Sequence, residues 1–411
     1  MPNDFVKRPN THQTHMMDLV LLGERGINEL NHKISNFMSK MPEDKLITTQ
    51  KIDGAPACIV WSKFPGYPDN SICLKSFIGG AKNAISSVEE VEEKYGDRPV
   101  MSTMLRYCLE IAPHIPANEA WQGDCLFTSN SKKEREINGT NYLTFQPNKI
   151  IYAFSEDNPG YEQVKNADFG IAFHTIYKPG EDGEKEQSFD IDPSILNVPD
   201  NIYIMSPSLG DVNKDNFNMS ELESKFDELQ ALENELTSNP DYEDLVENKL
   251  FMGYWNTFEN ANLSDKKANT INVNTFYKDL VDYIRNKRTG EYEKKIAGLK
   301  TDKGRTSAKE KYDLDMTELE DILETNKGLL VDLVKTLNCA SEISLLLYSG
   351  FKQSQQGYST FYQSRTKGYI PSEGEGISMS DSNGNIVKLV DRASFSNANR
   401  DNDIISGFDH E

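Results

Sequence analysis

A lysine beside an aspartate–glycine pair is the feature of this sequence best suited to covalent chemistry. In the segment Thr48–Gly54, a short β-type run leads into Lys51, Ile52, Asp53 and Gly54. The backbone holds a lysine that leaves a strand into such a turn, and its amine can attack an electrophile once it is neutral. The pattern alone is weak, because Lys-x-Asp-Gly arises by chance in roughly one chain in ten of this length. A lysine in an ordinary turn is the structural alternative.

Five further elements follow this lysine, and their order makes the pattern more informative. Each places a charged or aromatic residue in a β-type run. They are Lys75-Ser76-Phe77, Gly123-Asp124-Cys125-Leu126-Phe127, Phe169-Gly170-Ile171-Ala172-Phe173, Glu375-Gly376-Ile377-Ser378-Met379 and Val387-Lys388-Leu389-Val390. This order resembles the covalent nucleotidyltransferase superfamily, which comprises ATP-dependent DNA ligases, RNA ligases and mRNA-capping guanylyltransferases. The resemblance covers about residues 46–177 and 367–396.

The resemblance implies three catalytic residues. Lys51 is the expected nucleophile, which attacks the α-phosphorus of ATP to give a lysyl-AMP phosphoramidate and pyrophosphate. Lys388 is expected to neutralise the charge that builds on the α-phosphate. Together with a bound metal ion, it would also favour the neutral amine of Lys51 by like-charge repulsion. Asp53 is expected to orient the site in the second step of the reaction.

The resemblance also implies seven nucleotide-binding residues. Asp124 and Glu375 would hold the ribose hydroxyls or a divalent metal, Mg²⁺ or Mn²⁺, because hard cations prefer carboxylate oxygen. Phe173 would stack on the purine, and Gln50 or its backbone would read the base edge. The remaining contacts are expected from Ile52, Gly54 and Lys75.

Each of these side chains has a structural alternative. Asp124 and Glu375 are two of 65 acidic residues and could be ordinary surface carboxylates. Phe173, in a β-type run, could belong to the hydrophobic core. Lys388 could be a charge at a strand edge that discourages aggregation.

Departures from the family pattern refine the functional interpretation. DNA ligases and capping enzymes typically carry Arg two residues after the glycine of the motif, where this chain has Pro56 after Ala55. RNA ligases tolerate small or polar residues there. The last motif usually has two lysines separated by one residue, whereas Lys388 has Ile386 and Val390 at that spacing. The sequence therefore favours the RNA-ligase branch and leaves the handling of phosphate, and catalytic competence, open.

Three functional hypotheses follow. The favoured one is an ATP-dependent polynucleotide ligase that joins 5′-phosphate and 3′-hydroxyl ends, with RNA favoured over DNA as the partner. The second is an adenylyltransferase that acts on an acceptor other than nucleic acid. The third is a degenerate ligase-fold protein that binds nucleotide or takes part in assembly, with a protein partner on the helical region.

Along the chain, β-type runs give way to apolar residues at helical spacing and then return. This pattern, with the resemblance, predicts an α+β fold in which an antiparallel-sheet nucleotidyltransferase (adenylation) domain carries a large all-α insertion. Residues 1–45 are expected to form a helical segment that packs on this domain. Runs rich in β-branched and aromatic residues place the domain at 46–200 and 360–411. Apolar residues at helical spacing place the insertion at 201–359.

Capping signals predict where helices start within the insertion. Ser220 with Glu223 and Thr317 with Glu320 both have the spacing of a capping box. The run 328–348 is apolar on more than one side, which predicts a buried helix.

Composition narrows the class of protein. The chain has 411 residues and a net charge of −21. Its hydrophobic content of 37% is enough to build a core, as in a folded protein. No apolar run approaches the roughly 18 residues of a membrane span, and the first residues lack the apolar stretch of a signal peptide. We therefore expect no membrane partner and a cytoplasmic location, in the host cytoplasm if the source is a bacteriophage.

The charge also bears on nucleic acid as a partner. An excess of acidic residues argues against a general nucleic-acid coat, because non-specific affinity comes from Lys and Arg displacing counterions. Residues 285–311 nevertheless carry ten Lys or Arg against four Asp or Glu. A local phosphate-binding surface there is one expectation, and a solvated loop is the other.

Overall fold

The computed structural model describes most of the chain. The described residues are 14–39, 46–74, 81–180, 185–210, 212–354, 357–381, 384–394 and 402–407. They form a mixed α and β protein with three sheets, and the pairing within these sheets is mainly antiparallel, as the sequence predicts. None of the helices in this described part of the chain has the length and hydrophobicity that a membrane-spanning segment requires.

The strands fall into two groups along the chain, one before and one after a long helical stretch. In chain order they are β1 (Thr14–His15), β2 (Ile47–Gln50), β3 (Ala57–Trp61), β4 (Ser71–Cys73), β5 (Ala120–Thr128), β6 (Lys133–Ile137), β7 (Thr140–Phe145), β8 (Ile150–Phe154), β9 (Phe169–Pro179), β10 (Lys185–Ser188), β11 (Ile202–Met205), β12 (Ser359–Ser364), β13 (Gly368–Pro371), β14 (Ile377–Ser380) and β15 (Ile386–Leu389).

The helices lie mainly between β11 and β12. They are α1 (Gly23–Met38), α2 (Val88–Tyr95), α3 (Pro99–Ile111), α4 (Tyr161–Asn166), α5 (Met219–Thr237), α6 (Tyr242–Glu247), α7 (Lys249–Lys266), α8 (Phe276–Ala297), α9 (Asp302–Thr325) and α10 (Lys327–Gln353). A 3₁₀ helix, Met16–Leu22, precedes α1. The buried helix expected at 328–348 is α10, which contributes fifteen buried residues along its length.

The three sheets differ in how far apart their strands lie in the sequence. Sheet A has the strand order β1-β15-β14-β2, and β1 runs parallel to β15. Sheet B has the order β10-β9-β5-β3-β4, with β11 added parallel to β9. Sheet C has the order β13-β12-β8-β7-β6. Sheets A and C therefore each combine strands from both sides of the helical stretch.

One hydrophobic core joins the helices to sheet A. Ile377, Met379, Val387 and Leu389 alternate along β14 and β15, so they point to one face of the sheet. That face belongs to the same buried cluster as the apolar residues of α1 and of the helices from α5 to α10. The helical stretch thus covers one side of sheet A and leaves the polar side of its strands toward sheet B.

Several local predictions are corrected by the structure. The helical region between β4 and β5 is divided into α2 and α3, because Pro99 occupies the first turn of the second helix. The cap of α5 is Asn218, whose side chain accepts a hydrogen bond from the Glu221 N–H, and not Ser220. Thr317 lies inside α9, where its hydroxyl donates to the carbonyl of Asp313.

The boundaries of the helical stretch also differ from the sequence-based ones. Residues 202–205 form β11 and pair with β9, so the helices begin at Met219 and not at residue 201. The basic segment 285–311 is helical, lying in α8 and α9 and the turn between them, and not a loop. Its Arg285, Arg288 and Lys309 form ion pairs with carboxylates of α9.

Candidate functional site

Sheet A positions Lys51 at the end of β2. The Lys51 N–H donates to the carbonyl of Gly376 at 2.9 Å, which extends the pairing of β2 with β14. Thr49 lies opposite Ser378, and Ser378 lies opposite Lys388. Directly opposed residues share a face of the sheet, and this face is the one opposite the helical core. The two lysines therefore lie at the same face of sheet A, although they are far apart in the sequence.

Lys51 and Asp53 form an ion pair within the Lys-x-Asp-Gly turn. Their side chains are 28% and 36% exposed, so a substrate can reach both. The turn itself approaches β5 closely, because the Ala55 N–H donates to the Cys125 carbonyl at 2.9 Å. A Cβ on Gly54 would lie 2.2 Å from that carbonyl oxygen, so glycine is required here.

Two further carboxylates face the Lys51–Asp53 pair. Burial and then the negative charge of Asp53 raise the pKa of Asp124, on β5, to about 7. Burial and then the same charge raise the pKa of Glu375, just before β14, to about 8. Asn148 connects Glu375 to the Lys51–Asp53 turn, since its Nδ2 donates to Glu375 Oε1 at 2.9 Å and to the Asp53 backbone carbonyl at 3.0 Å. Three carboxylates thus crowd around one ammonium group.

This crowding is what a divalent cation would relieve. Mg²⁺ commonly binds through one or two carboxylates and completes its coordination with water and substrate phosphates. Asp124 and Glu375 are the candidates, because burial and the charge of Asp53 raise the pKa of each carboxyl, and a bound cation would favour the ionised form that binds metal. Among the described residues, no group of three or more His, Cys, Asp or Glu side chains is arranged to hold a metal by itself.

Lys388 brings a second positive charge to the site. Burial first, and then the positive charge of Lys51, lower the pKa of Lys388. The interaction with Lys51 means that the two ammonium groups are close enough to repel. The sequence-based expectation that Lys388 acts on Lys51 and on its bound phosphate is thus geometrically possible.

Phe173 does not take part in this site. Its ring is fully buried and packs edge-on against Trp121 with the ring centres 5.5 Å apart, in the core beneath α3. Ala172, the preceding residue, is the one opposite Asp124, so Phe173 points to the other face of sheet B. The expectation that Phe173 stacks on a purine is wrong for this arrangement, and the ring is a core residue.

The other residues expected to contact the nucleotide lie in different surroundings. Gln50 pairs with Ile377 and therefore lies on the core side of sheet A, where its N–H donates to the Pro207 carbonyl at 2.7 Å. Ile52 is 4% exposed and packs in the core between sheets B and C, so its side chain anchors the Lys-x-Asp-Gly turn to this core. Lys75 lies outside the described residues.

His174 has an imidazole ring close to the site, and the sequence patterns did not indicate it. It is the extra residue of a β-bulge, between the pairs Phe173–Gly123 and Thr175–Gln122. Bulges re-aim side chains and are common beside active sites. Burial lowers the pKa of His174 to about 4, with opposing contributions from Asp53 and Lys51, which places the ring near both. The bulge is defined by the pairing of β9 with β5, so the amino-acid sequence alone does not predict it.

A buried arginine connects the site to the helices. Arg392 Nη1 donates to Glu259 Oε1 at 3.0 Å and to Asp18 Oδ1 at 3.2 Å, and Nη2 donates to Asn260 Oδ1 at 2.7 Å. Arg392 and Asp18 both influence the charge state of Lys388. Helix α7, the segment before α1 and the end of β15 are thus held together directly beside Lys388.

The model of a family described as "Family of unknown function (DUF6267)" matches residues 10–402. No curated protein and no solved structure matches the chain.

Proposed function

The chain belongs to the DUF6267 family, whose function is unknown, and from the site itself we propose that it is an ATP-dependent nucleotidyltransferase of the RNA-ligase type. Lys51 would form lysyl-AMP and pass the AMP to the 5′-phosphate of a nucleic acid strand, which a 3′-hydroxyl then joins. One observation carries this proposal. Lys51, Asp53, Asp124, Glu375 and Lys388 lie close together at one site, and they follow one another along the chain in the order of the motifs of the superfamily they resemble.

The first step needs a nucleophile and a way to handle charge. The Nζ of Lys51 would form a bond to the α-phosphorus while the bond from that phosphorus to the bridging oxygen breaks, and pyrophosphate leaves with the electron pair. Before attack, Nζ must release its extra proton, and Asp53 already accepts a hydrogen bond from it. Lys388 would balance the negative charge that develops on the phosphate oxygens.

The carboxylates would position the nucleotide and a metal ion. A bound Mg²⁺ or Mn²⁺ would supply positive charge at the phosphates. Asp124 and Glu375 would hold it, with Asn148 fixing the orientation of Glu375. Since Phe173 is in the core, His174 takes its place in the proposal as the ring nearest the purine. With a pKa of about 4, His174 is neutral above pH 5 and can present an uncharged ring to the base.

Covalent labelling tests the proposal directly. We would incubate the full chain with α-³²P-ATP and Mg²⁺ or Mn²⁺, denature it, and measure the label retained on the protein. We expect label on the wild type and on Lys63→Ala, an exposed lysine outside the site, and none on Lys51→Ala. A folded wild type that takes up no label, or a Lys51→Ala protein that keeps it, would refute the proposal.

The acceptor is tested in a second step. Addition of 5′-phosphorylated RNA to the isolated labelled protein should release the label as adenylylated RNA. The net charge of −21 favours the alternative that the AMP goes to an acceptor other than nucleic acid. In that case the label stays on the protein in the presence of RNA and of DNA.

The third possibility is a nucleotide-binding or assembly protein, and the presence of Ile386 and Val390 where a second lysine is usual favours it. Such a protein would bind ATP without any covalent label.

A further inference from the structure

A cavity of about 770 Å³ lies beside the Lys51 turn and is not part of the site described above. Its wall combines the residues just after the turn, the start of α3, and parts of β5, β6 and the segment before β8. The lining residues that matter here are Pro56, Arg98, Met104, Leu126, Lys133 and Arg135. Its volume is within the range of pockets that bind small molecules or single units of a polymer.

All the charged residues that line the cavity, in the part of the chain that the structure describes, are cations. Arg98, Lys133 and Arg135 are three of the 44 basic residues of a chain with 65 acidic ones, and no carboxylate of the described chain lines the cavity with them. Arg98 and Lys133 are exposed, and neither forms an ion pair with any described residue. The Nη1 of Arg135 donates to Gln363 Oε1 at 3.0 Å, which holds the guanidinium in place. This concentration of positive charge in an acidic protein favours an anionic ligand.

The floor of the cavity is apolar. Met104 and Leu126 are 6% and 2% exposed, and Pro56 and Pro147 flank them. Val100, at the start of α3, is 38% exposed, which is unusual for a large aliphatic side chain in this structure. Apolar side chains together with cations suit a ligand that has a planar body and a phosphate, as a nucleotide unit does.

Two walls of the cavity continue directly into the candidate site. Ala55 lines the cavity and follows Lys51 by four positions, so their Cα atoms are at most about 14 Å apart. On the other side, Pro147 lines the cavity, and the next residue, Asn148, binds Asp53 and Glu375. The cavity therefore lies directly beside the Lys51 turn and beside Asn148.

We propose that this cavity binds the 5′-terminal nucleotide of the acceptor strand, with its base on the apolar floor and its phosphate at Arg98, Lys133 and Arg135. A terminal phosphate monoester carries up to two charges at neutral pH, whereas an internal diester carries one, so a cluster of three cations favours the end of a strand. The inference rests on the proposed function for the identity of the ligand, but binding can be measured without ATP or covalent chemistry.

The test measures binding of a fluorescein-labelled single-stranded RNA of twelve nucleotides, with either a 5′-phosphate or a 5′-hydroxyl, by fluorescence anisotropy without ATP. We expect the wild type to prefer the phosphorylated RNA. In Arg98→Gln/Lys133→Gln, affinity for it should fall roughly tenfold or more at 0.1 M salt, and the slope of log affinity against log salt should fall by about 1.4, for two lost phosphate contacts. The matched control, Lys249→Gln/Lys278→Gln, removes the same charge from exposed residues of α7 and α8 outside the cavity and outside segment 285–311, and should bind like the wild type.

A second variant keeps the test independent of any loss of folding in the first. Val100→Glu adds a carboxylate at the exposed edge of the cavity and should also weaken binding of the phosphorylated RNA. Unchanged affinity in both variants would refute the inference, as would a wild type that does not distinguish the two RNAs. A phosphopeptide that competes as well as unlabelled RNA would refute the assignment to nucleic acid.

The covalent labelling assay separates this inference from the proposed function. If Lys51 takes up AMP but RNA binding is insensitive to the cavity variants, only the cavity assignment fails. If Lys51 takes up no AMP while the cavity variants lose RNA binding, the cavity assignment holds and the transfer reaction is refuted.

Discussion

Replacing Asp124 with asparagine should stabilise the protein at high pH while it abolishes covalent labelling. Folding raises the pKa of this carboxyl from its usual value near 3.8 to about 7, through burial and the nearby charge of Asp53. A group whose pKa is higher in the folded state favours folding at low pH, and this contribution is lost as the pH rises through the folded value. The amide of the variant cannot ionise, so the variant would not lose that stability. The Gly54 N–H that donates to Asp124 can donate to the amide oxygen of the new side chain instead.

The size of the effect follows from the pKa. Between pH 5.5 and pH 7 the wild type loses about 1.4 kcal/mol per pH unit, or about 2 kcal/mol in total, relative to the variant. Partial exposure of the side chain lets solvent screen the charge, which reduces the expected difference to about 1 to 2 kcal/mol. Above pH 7 the carboxyl is already ionised in the folded protein, so the difference stays constant.

Thermal unfolding without ATP and metal, at pH 5.5 and pH 8.5, measures this difference. The gain in Tm of Asp124→Asn over the wild type should be larger at pH 8.5 by roughly 2 °C or more. Asp279→Asn is the control, because the pKa of Asp279 is lowered by a hydrogen bond from Lys266 and its contribution does not change in this pH range. The reasoning would be refuted if the gain in Tm of Asp124→Asn over the wild type were the same at both pH values, or smaller at pH 8.5.

Four other changes have defined outcomes. Gly54→Ala should destabilise the protein by about 2 kcal/mol or more, measured by thermal unfolding, because its Cβ would collide with the Cys125 carbonyl. Lys388→Met should reduce the rate of labelling by about 100-fold or more, with Lys388→Arg recovering part of it, since only the charge balance at the phosphate is lost. Phe173→Leu should lower Tm, at a cost of about 1 to 3 kcal/mol, yet leave the KM for ATP within about twofold, and a large rise in KM would restore the stacking role. Arg392→Met should destabilise the fold by about 3 kcal/mol, because Glu259 and Asp18 lose their buried partner, and normal unfolding of this variant would contradict that role.

Sequence patterns predicted the strands that lie in the core and missed those at the surface. The runs at β3, β8 and β9 are rich in β-branched and aromatic residues because both faces of these strands are largely buried. The strand β6, Lys133–Ile137, has the sequence KEREI and is mostly exposed at the edge of sheet C, so it carries no hydrophobic signal. Its cations became interpretable only when the structure placed them at a cavity.

The site was predictable in part for a similar reason. Lys51, Asp124, Glu375 and Lys388 each stand in a recognisable strand context, so a family resemblance could order them before any contact was known. Phe173 and His174 are adjacent, and the register of β9 against β5 decides which of them turns toward the site. No local pattern encodes that choice, since it depends on how β9 pairs with β5. The network around Arg392 was equally hidden, because its partners come from α7 and from the segment before α1.

Sheet A also constrains when the candidate site can form during synthesis of the chain. Its strands β2 and β14 are more than three hundred positions apart, and all the helices from α5 to α10 lie between them. Bringing such distant strands together requires the closure of a very long loop, which slows folding. A growing chain on the ribosome thus exposes Lys51 long before Glu375 and Lys388 exist to complete its surroundings. On refolding, helical content should return before any capacity for covalent labelling, because the candidate site is complete only when the last strands are in place.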